Sequence, residues 1–349
     1  MKIVAVSDHF VRTEHYEACF AKYPEYELKT IFFGTEDRVE MRDIFHKIER
    51  KGPDAWPIPD ELYEAIEGAD VLMVHICPVP ASLIARGKKL RAILTNRGGL
   101  ENIAVEEATK RGIPVLNNPA HNSNGVCELA IGLMITESRN VARAHMGLMQ
   151  GNWRENFYNT GNVWELKGKT VGIVGFGNIG HLMAERLHVC FGCNIMVNDI
   201  YIDPEDELLE KYPAIKVVDL PTLMKESDIV TLHARNENVI LDREMLSLMQ
   251  PHAFFINTAR AHMVDYDALY ELLRDRKIMG AAIEVHPVEP LPEDYPFLKL
   301  DNVTLTTHRG GDTINAYSDS PEMLVQDYAR YLAGKKVRFF VNPEVGFGR

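Results

Sequence analysis

The run Thr170-Val-Gly-Ile-Val-Gly-Phe-Gly-Asn-Ile-Gly180 constrains the fold of this chain more than any other segment. Val171 to Val174 reads as a buried strand, Gly175-x-Gly177-x-x-Gly180 as a tight turn, and Asn178 onward as a helix. Gly175 permits the turn, Gly177 lets backbone approach a pyrophosphate, and Gly180 lets the helix pack close to the strand. A helix N-terminus offers free N–H groups and a partial positive charge to phosphates. Three glycines alone are weak evidence, because a doubly wound domain can carry such a turn without a nucleotide. A second strand, Asn194-Ile-Met-Val-Asn-Asp199, adds an acid 19 residues after Gly180. Its carboxylate would accept hydrogen bonds from ribose hydroxyls and repel a 2′-phosphate, which predicts NAD rather than NADP. The expected cofactor contacts here are Gly175, Gly177, Asn178, Ile179, Gly180 and Asp199.

Strand-like and helix-like runs alternate almost throughout, the pattern of parallel sheets covered on both faces. A first series of strands is expected at Lys2–Val6, Glu27–Phe33, Val71–His75, Arg91–Thr95 and Pro114–Leu116. A second series follows Leu166, at Val171–Val174, Asn194–Asn198, Ala214–Val217, Ile229–Leu232, Ala253–Asn257, Gly280–Glu284 and Val303–Thr306. Asn117-Asn118-Pro119 interrupts the pattern as a crossover. Beyond it, Ser123 to Arg143 reads as one long helix with an apolar face, Pro321–Leu332 as another helix, and Val337–Val341 as a final strand. A C-terminal helix that returns to the first domain would make that domain discontinuous.

A chain of 349 residues suits two domains. The net charge of −12, with no block of Lys or Arg, argues against nucleic acid and anionic membranes as partners. The start, Met-Lys-Ile-Val-Ala-Val, reads as a first strand rather than a signal peptide, and no apolar run reaches 18 residues. Cys19, Cys77, Cys127, Cys190 and Cys193 read as reduced thiols, which points to the cytoplasm. Cys190 and Cys193 have metal-ligand spacing but no second ligand pair nearby, so no metal is expected.

Three segments near the carboxyl ends of late strands hold reactive side chains, where open α/β sheets bind ligands. Phe255-Ile-Asn-Thr-Ala-Arg260 ends in a guanidinium that could grip a carboxylate with two parallel hydrogen bonds, or simply cap the strand. Ala281-Ala-Ile-Glu-Val-His-Pro-Val-Glu289 offers Glu284, His286 and Glu289, of which one could orient a histidine; a solvated Glu289 is the alternative. Val303-Thr-Leu-Thr-Thr-His-Arg-Gly-Gly311 places His308 past a strand and ahead of Gly310 and Gly311, which would allow close approach to a cofactor. His308 could equally be an unpaired surface histidine, and His233, at another strand end, could line the cofactor cleft. Together the segments match reduction of a 2-oxo acid. Such a reaction needs a hydride donor, a carboxylate anchor (Arg260) and a proton donor (His308 held by Glu289).

These segments resemble the D-isomer-specific 2-hydroxyacid dehydrogenases, phosphoglycerate dehydrogenase-like members above all, and the likeness runs over most of the chain. The family pattern of glycine-rich loop, Asn-x-x-Arg-Gly, Asp-Val-Phe-x-x-Glu-Pro and Pro-His-x-Gly-Gly has counterparts in order. They are Gly175–Gly180, Asn257–Arg260, Glu284–Pro290 and Thr307–Gly311. The resemblance implies two doubly wound parallel-sheet domains, one a Rossmann-type NAD-binding domain, the other a discontinuous flavodoxin-like substrate domain. The expected boundaries are 1–118 and 312–349 for the substrate domain and 119–311 for the NAD-binding domain. It implies a homodimer and a catalytic set of Arg260, Glu289 and His308. It adds Thr258, Ala259, Glu284 and Gly310 to the cofactor contacts, and Gly98, Gly99 and Arg260 as substrate contacts. Arg97 is a further substrate contact read from the residues: with Arg309 it would suit a substrate with a second anionic or heavily hydroxylated group, or Arg97 pairs with Glu101 and Arg309 points to solvent. Four departures stand out. Glu284 replaces the usual Asp, which normally bonds the nicotinamide amide; Ala261-His262 follow the arginine where Gly is usual; the loop from His233 lacks its customary proline; and Arg309 neighbours the histidine. The same fold also serves as an NAD-sensing, corepressor-like binding protein, and this stands as the alternative to catalysis. His75, Cys77 and Trp153 could line the pocket or simply pack.

Overall fold

The computed structural model describes residues 1–203 and 205–346. The chain forms two compact units, one made of Met1–Asn122 and the segment from Thr313 onward, the other of Ser123–Asp312.

The first unit is built on five parallel strands: β1 (Lys2–Ser7), β2 (Glu27–Phe32), β3 (Val71–Val74), β4 (Ala92–Thr95) and β5 (Val115–Leu116), in the order β2-β1-β3-β4-β5. β3 and β4 are buried along their whole length, as strands covered on both faces must be. One face packs Ile44, Ile48, Leu62 and Ile66; the other packs Tyr16, Leu324, Val325 and Tyr328. The helix Ser320–Leu332 thus returns to the sheet of the first unit. The final strand expected at Val337–Val341 is absent. Phe340 makes only an isolated antiparallel bridge to Leu116, since β5 itself is two residues long and offers little edge to extend.

The second unit carries seven parallel strands: β6 (Thr170–Val174), β7 (Asn194–Asn198), β8 (Lys216–Val217), β9 (Ile229–Leu232), β10 (Phe254–Asn257), β11 (Gly280–Ile283) and β12 (Val303–Leu305). Their order is β12-β11-β10-β9-β6-β7-β8, a doubly wound sheet whose order reverses between β6 and β9. Phe254 and Phe255 point into opposite cores and are fully buried, each contributing roughly 2–3 kcal/mol.

The long helix expected over Ser123–Arg143 is two helices, Ser123–Ser138 and Val141–Met149, broken at Asn140 in a left-handed conformation (φ 56°). Arg143 explains the break. In a continuous helix, residues six apart lie on different faces. The break turns the Arg143 guanidinium back onto Glu137, at 2.8 and 3.0 Å. Glu137 is fully buried and also accepts from Tyr158 and Thr304 at 2.7 and 2.6 Å. Burial raises its pKa, against the pull of the arginine and the hydroxyls. A buried carboxylate needs such partners, and continuing the helix would have removed its cation.

Candidate active site

The glycine-rich turn lies where the order of the second sheet reverses. Gly175 has φ +98°, and a Cβ there would sit 2.2 Å from the backbone N of Ala234, in the loop after β9. A Cβ on Gly180 would sit 2.2 Å from Gly175 O. These two glycines therefore bring the turn, the helix Asn178–Phe191 and the β9 loop together. Gly177 differs: it is the N-cap of that helix, no side chain caps the helix, and a Cβ there would meet nothing within 4 Å. The open side of the turn thus presents helix N–H groups that no side chain among the described residues caps. Asn178 is exposed and Ile179 half-buried. Asp199 follows β7 and accepts from Phe176 N at 2.7 Å and Tyr201 N at 2.9 Å, which ties the acid to the turn. An uncapped helix start, an open Gly177 and a carboxylate at the end of the neighbouring strand fit a dinucleotide.

Half-buried His233 shares its Nε2 with Thr231 Oγ1 at 2.9 Å, and burial lowers its pKa to about 3. Its ring is neutral at pH 7.

Asn257, at the end of β10, shapes the next loop. Its Oδ1 accepts from Ala259 N at 3.0 Å, and its Nδ2 meets Tyr266 Oη at 3.3 Å. Thr258 is buried, Ala259 half-buried, and Arg260 emerges exposed in extended backbone. Among the described residues no carboxylate pairs with Arg260, whose Nη1 donates to Ala259 O at 2.7 Å. A cavity of about 600 Å³ opens here, lined by Arg260, His262, Tyr266, His286, Glu289 and His308 among others.

Glu289 reaches His308 across 19 residues of sequence, with Oε2 2.8 Å from Nδ1, while its Oε1 accepts from His286 N at 2.8 Å. Burial pushes the Glu289 carboxyl up, but the His286 N–H and the hydrogen bond and charge of His308 outweigh it and hold it below its ordinary value. An ionised carboxylate only accepts, so His308 Nδ1 bears a proton and Nε2 is the nitrogen left to exchange one. His286 itself is buried, with Nε2 donating to Thr306 O at 2.8 Å. Glu284 is 2% exposed; its Oε1 accepts from Gly310 N at 2.7 Å, and burial raises its pKa.

In the first unit, Arg97 is buried against Glu49 at 2.9 Å and Glu101 at 3.2 Å, and its guanidinium lies 4.6 Å from the Phe45 ring centroid. A Cβ on Gly98 would sit 3.0 Å from Pro119 Cα, and one on Gly99 would sit 2.4 Å from Glu101 Oε2, so both glycines lie under neighbouring groups. His75 is buried against Asp8, Cys77 is buried and Trp153 is exposed. Arg309 forms an ion pair with Asp312. All five cysteines are free. The Asp8–His75 pair, 67 residues apart, and the Glu284–Gly310 bond had no signal in the sequence.

The second unit is therefore a dinucleotide-binding α/β domain with an arginine and an acid-held histidine at one cavity. Residues 131–310 match the model of the D-isomer-specific 2-hydroxyacid dehydrogenase NAD-binding domain. The chain is 39% identical over 263 residues to a hydroxypyruvate reductase from Thermotoga maritima, covering 74% of this chain and 83% of that protein. It is 38% identical over 288 residues to a D-3-phosphoglycerate dehydrogenase from Methanocaldococcus jannaschii, covering 81% of this chain but only 53% of the relative, so it spans about half of that protein. An NAD-complexed D-isomer-specific 2-hydroxyacid dehydrogenase from Lactobacillus delbrueckii ssp. bulgaricus shares the fold, with a TM-score of 0.75 at 22% identity over 98% of this chain and 100% of that one. The chain belongs to the D-isomer-specific 2-hydroxyacid dehydrogenase family, and its cofactor is NAD.

Proposed function

We propose that the protein interconverts a D-2-hydroxy acid and its 2-oxo partner. Bound NAD supplies the acceptor or donor of hydride. Arg260 anchors the substrate carboxylate through paired N–H groups. His308 Nε2 gives a proton to the 2-oxo oxygen during reduction and takes the hydroxyl proton during oxidation. Glu289 holds Nδ1–H and so fixes which nitrogen does this work. The carrying observation is that Arg260, Glu289 and His308 line one cavity, with the acid 2.8 Å from the imidazole.

The dinucleotide contacts are assigned to the Gly175–Gly180 turn, Asp199, His233, Thr258, Ala259, Glu284 and Gly310. The five-stranded unit is assigned to substrate binding through Arg97, Gly98 and Gly99. Arg97 already carries two ion pairs, which favours a small unphosphorylated acid over one with a second strong anion. Hydroxypyruvate and glyoxylate, after which two of the relatives are named, fit that description. We assign a cytoplasmic location and a homodimer. The helix Val141–Met149 and the loop after it expose Val141, Met146, Leu148, Met149 and Trp153, an apolar surface suited to a second copy.

The test is absorbance of NADH with a panel of 2-oxo acids, wild type against His308→Ala. Turnover of a 2-oxo acid that disappears in the variant is expected; equal turnover in both removes the mechanism. Light scattering of the protein and of a Leu148→Glu, Met149→Glu double variant tests the dimer, which the variant should dissociate.

A further inference from the structure

His308 has φ 55°, a left-handed backbone that costs a non-glycine residue on the order of 1 kcal/mol and persists only where the surroundings hold it. The segment that holds it comes almost entirely from the end of β11. On the near side of His308, Thr306 N donates to Ile283 O at 3.0 Å and Thr306 O accepts from His286 at 2.8 Å. At the ring, Glu289 takes Nδ1–H. On the far side, Gly310 N donates to Glu284 Oε1 at 2.7 Å.

We propose that Glu284 is a positioning residue for His308: its carboxylate clamps the chain two residues past the histidine and keeps the left-handed turn that presents the imidazole to Glu289. This rests on His308 being the acid/base of the reaction. Side-chain length is part of the device. An aspartate at 284 would be about 1.5 Å shorter, which puts Gly310 N–H out of hydrogen-bond reach. Residue 310 packs closely against Leu129 and makes only ordinary contact with the Glu284 carboxylate. A Cβ there would lie 3.5 Å from Glu284 Oε2 and 3.1 Å from Leu129 Cδ2. Glu284 is shielded from water, so the bond meets no solvent competition. The Arg309 N–H and the charge of His308 also favour its ionised form. The departure from the aspartate usual in the family thus has a structural counterpart in this chain.

The clamp separates two substitutions. Glu284→Asp keeps the charge and shortens the reach; Glu284→Gln loses the charge and keeps an acceptor oxygen at the same reach. The experiment measures kcat, KM for NADH, thermal unfolding, and amide hydrogen exchange across residues 306–312 in both variants of the full chain. The aspartate variant should lose about tenfold in kcat and exchange Gly310 about tenfold faster, in addition to any change in KM for NADH from its assigned dinucleotide contact. The glutamine variant, which keeps the acceptor at the same reach, should exchange Gly310 within about threefold of wild type, whatever its kinetics. Unchanged exchange and kcat in Glu284→Asp would overturn the clamp, and so would a loss confined to KM for NADH. The exchange arm needs no catalysis: if His308→Ala is fully active, the acid/base reading fails while exchange still reports on the clamp.

Discussion

A carboxylate–imidazole pair hydrogen-bonded at Nδ1 occurs in each unit, Asp8–His75 in the first and Glu289–His308 in the second, and these two differ in nearly everything else. In the first unit, Asp8 and His75 stand at the carboxyl ends of β1 and β3, 3.0 Å apart, with side chains 1% and 8% exposed. Asp8 also accepts from Phe10, Val11 and Ile76 N–H groups, at 2.8, 3.0 and 3.2 Å. Its burial raises the pKa, but the charge of His75 and these hydrogen bonds bring it below the ordinary value. Phe10 and Tyr317 close over the ring edge-on. In the second unit, Glu289 and His308 are 2.8 Å apart with side chains 37% and 42% exposed, at the wall of a cavity. The same two functional groups therefore serve two ends. Buried and saturated with backbone donors, the pair joins two strand ends and contributes stability. Open on the cavity side, it leaves one nitrogen free to exchange a proton.

Four measurements would break or sharpen that contrast. His308→Ala should lower kcat by about 10²–10⁴-fold, with little change in thermal unfolding because the ring is exposed. Retained activity would place the second pair with the first. Asp8→Ala should destabilise the first unit by about 3–5 kcal/mol in urea unfolding, since it leaves a buried imidazole and three N–H groups without their acceptor. A loss under about 1 kcal/mol would show that the pair is not structural. Glu289→Gln should lower kcat by about 10–100-fold and leave unfolding nearly unchanged, because a half-exposed pair adds little to stability. The smallest effect concerns pH. Asp8 has a folded pKa below its unfolded value of 3.8, so its contribution is complete above about pH 4 and is lost as pH falls through the folded pKa. Urea unfolding from pH 5 to pH 2 should show a shallower acid decline for Asp8→Asn than for wild type; parallel curves would remove Asp8 from the acid limb.

The pieces legible in the sequence are those in which adjacent residues suffice. The strand–turn–helix at Val171–Gly180 is one, because apolar run, glycine spacing and helix start all lie within eleven residues. Both parallel sheets follow from strands buried on both faces, which leave unbroken apolar runs such as Phe254–Ile256. The misreadings fall where local pattern met a distant partner. The apolar face after Asn122 continued past Ser138, but buried Glu137 required Arg143 to double back, which a helix-period reading does not reveal. Val337–Val341 has strand composition, yet a two-residue β5 gives it too little to pair with.

What the sequence determined by itself is the class of chain: a doubly wound architecture, a dinucleotide turn ending at an acid, and a short set of strand-end residues able to do acid–base work. Tertiary structure decided how those residues are partnered. It set Glu289 against His308, Glu284 against the Gly310 backbone, Glu49 against Arg97, and Asp8 against His75. Backbone preference and periodicity act over a few neighbouring residues, so they leave a trace in order and composition. Partners 19 to 67 positions apart meet only because strand order and register bring their loops to one edge, and a carboxylate's role depends on the water and donors it finds there.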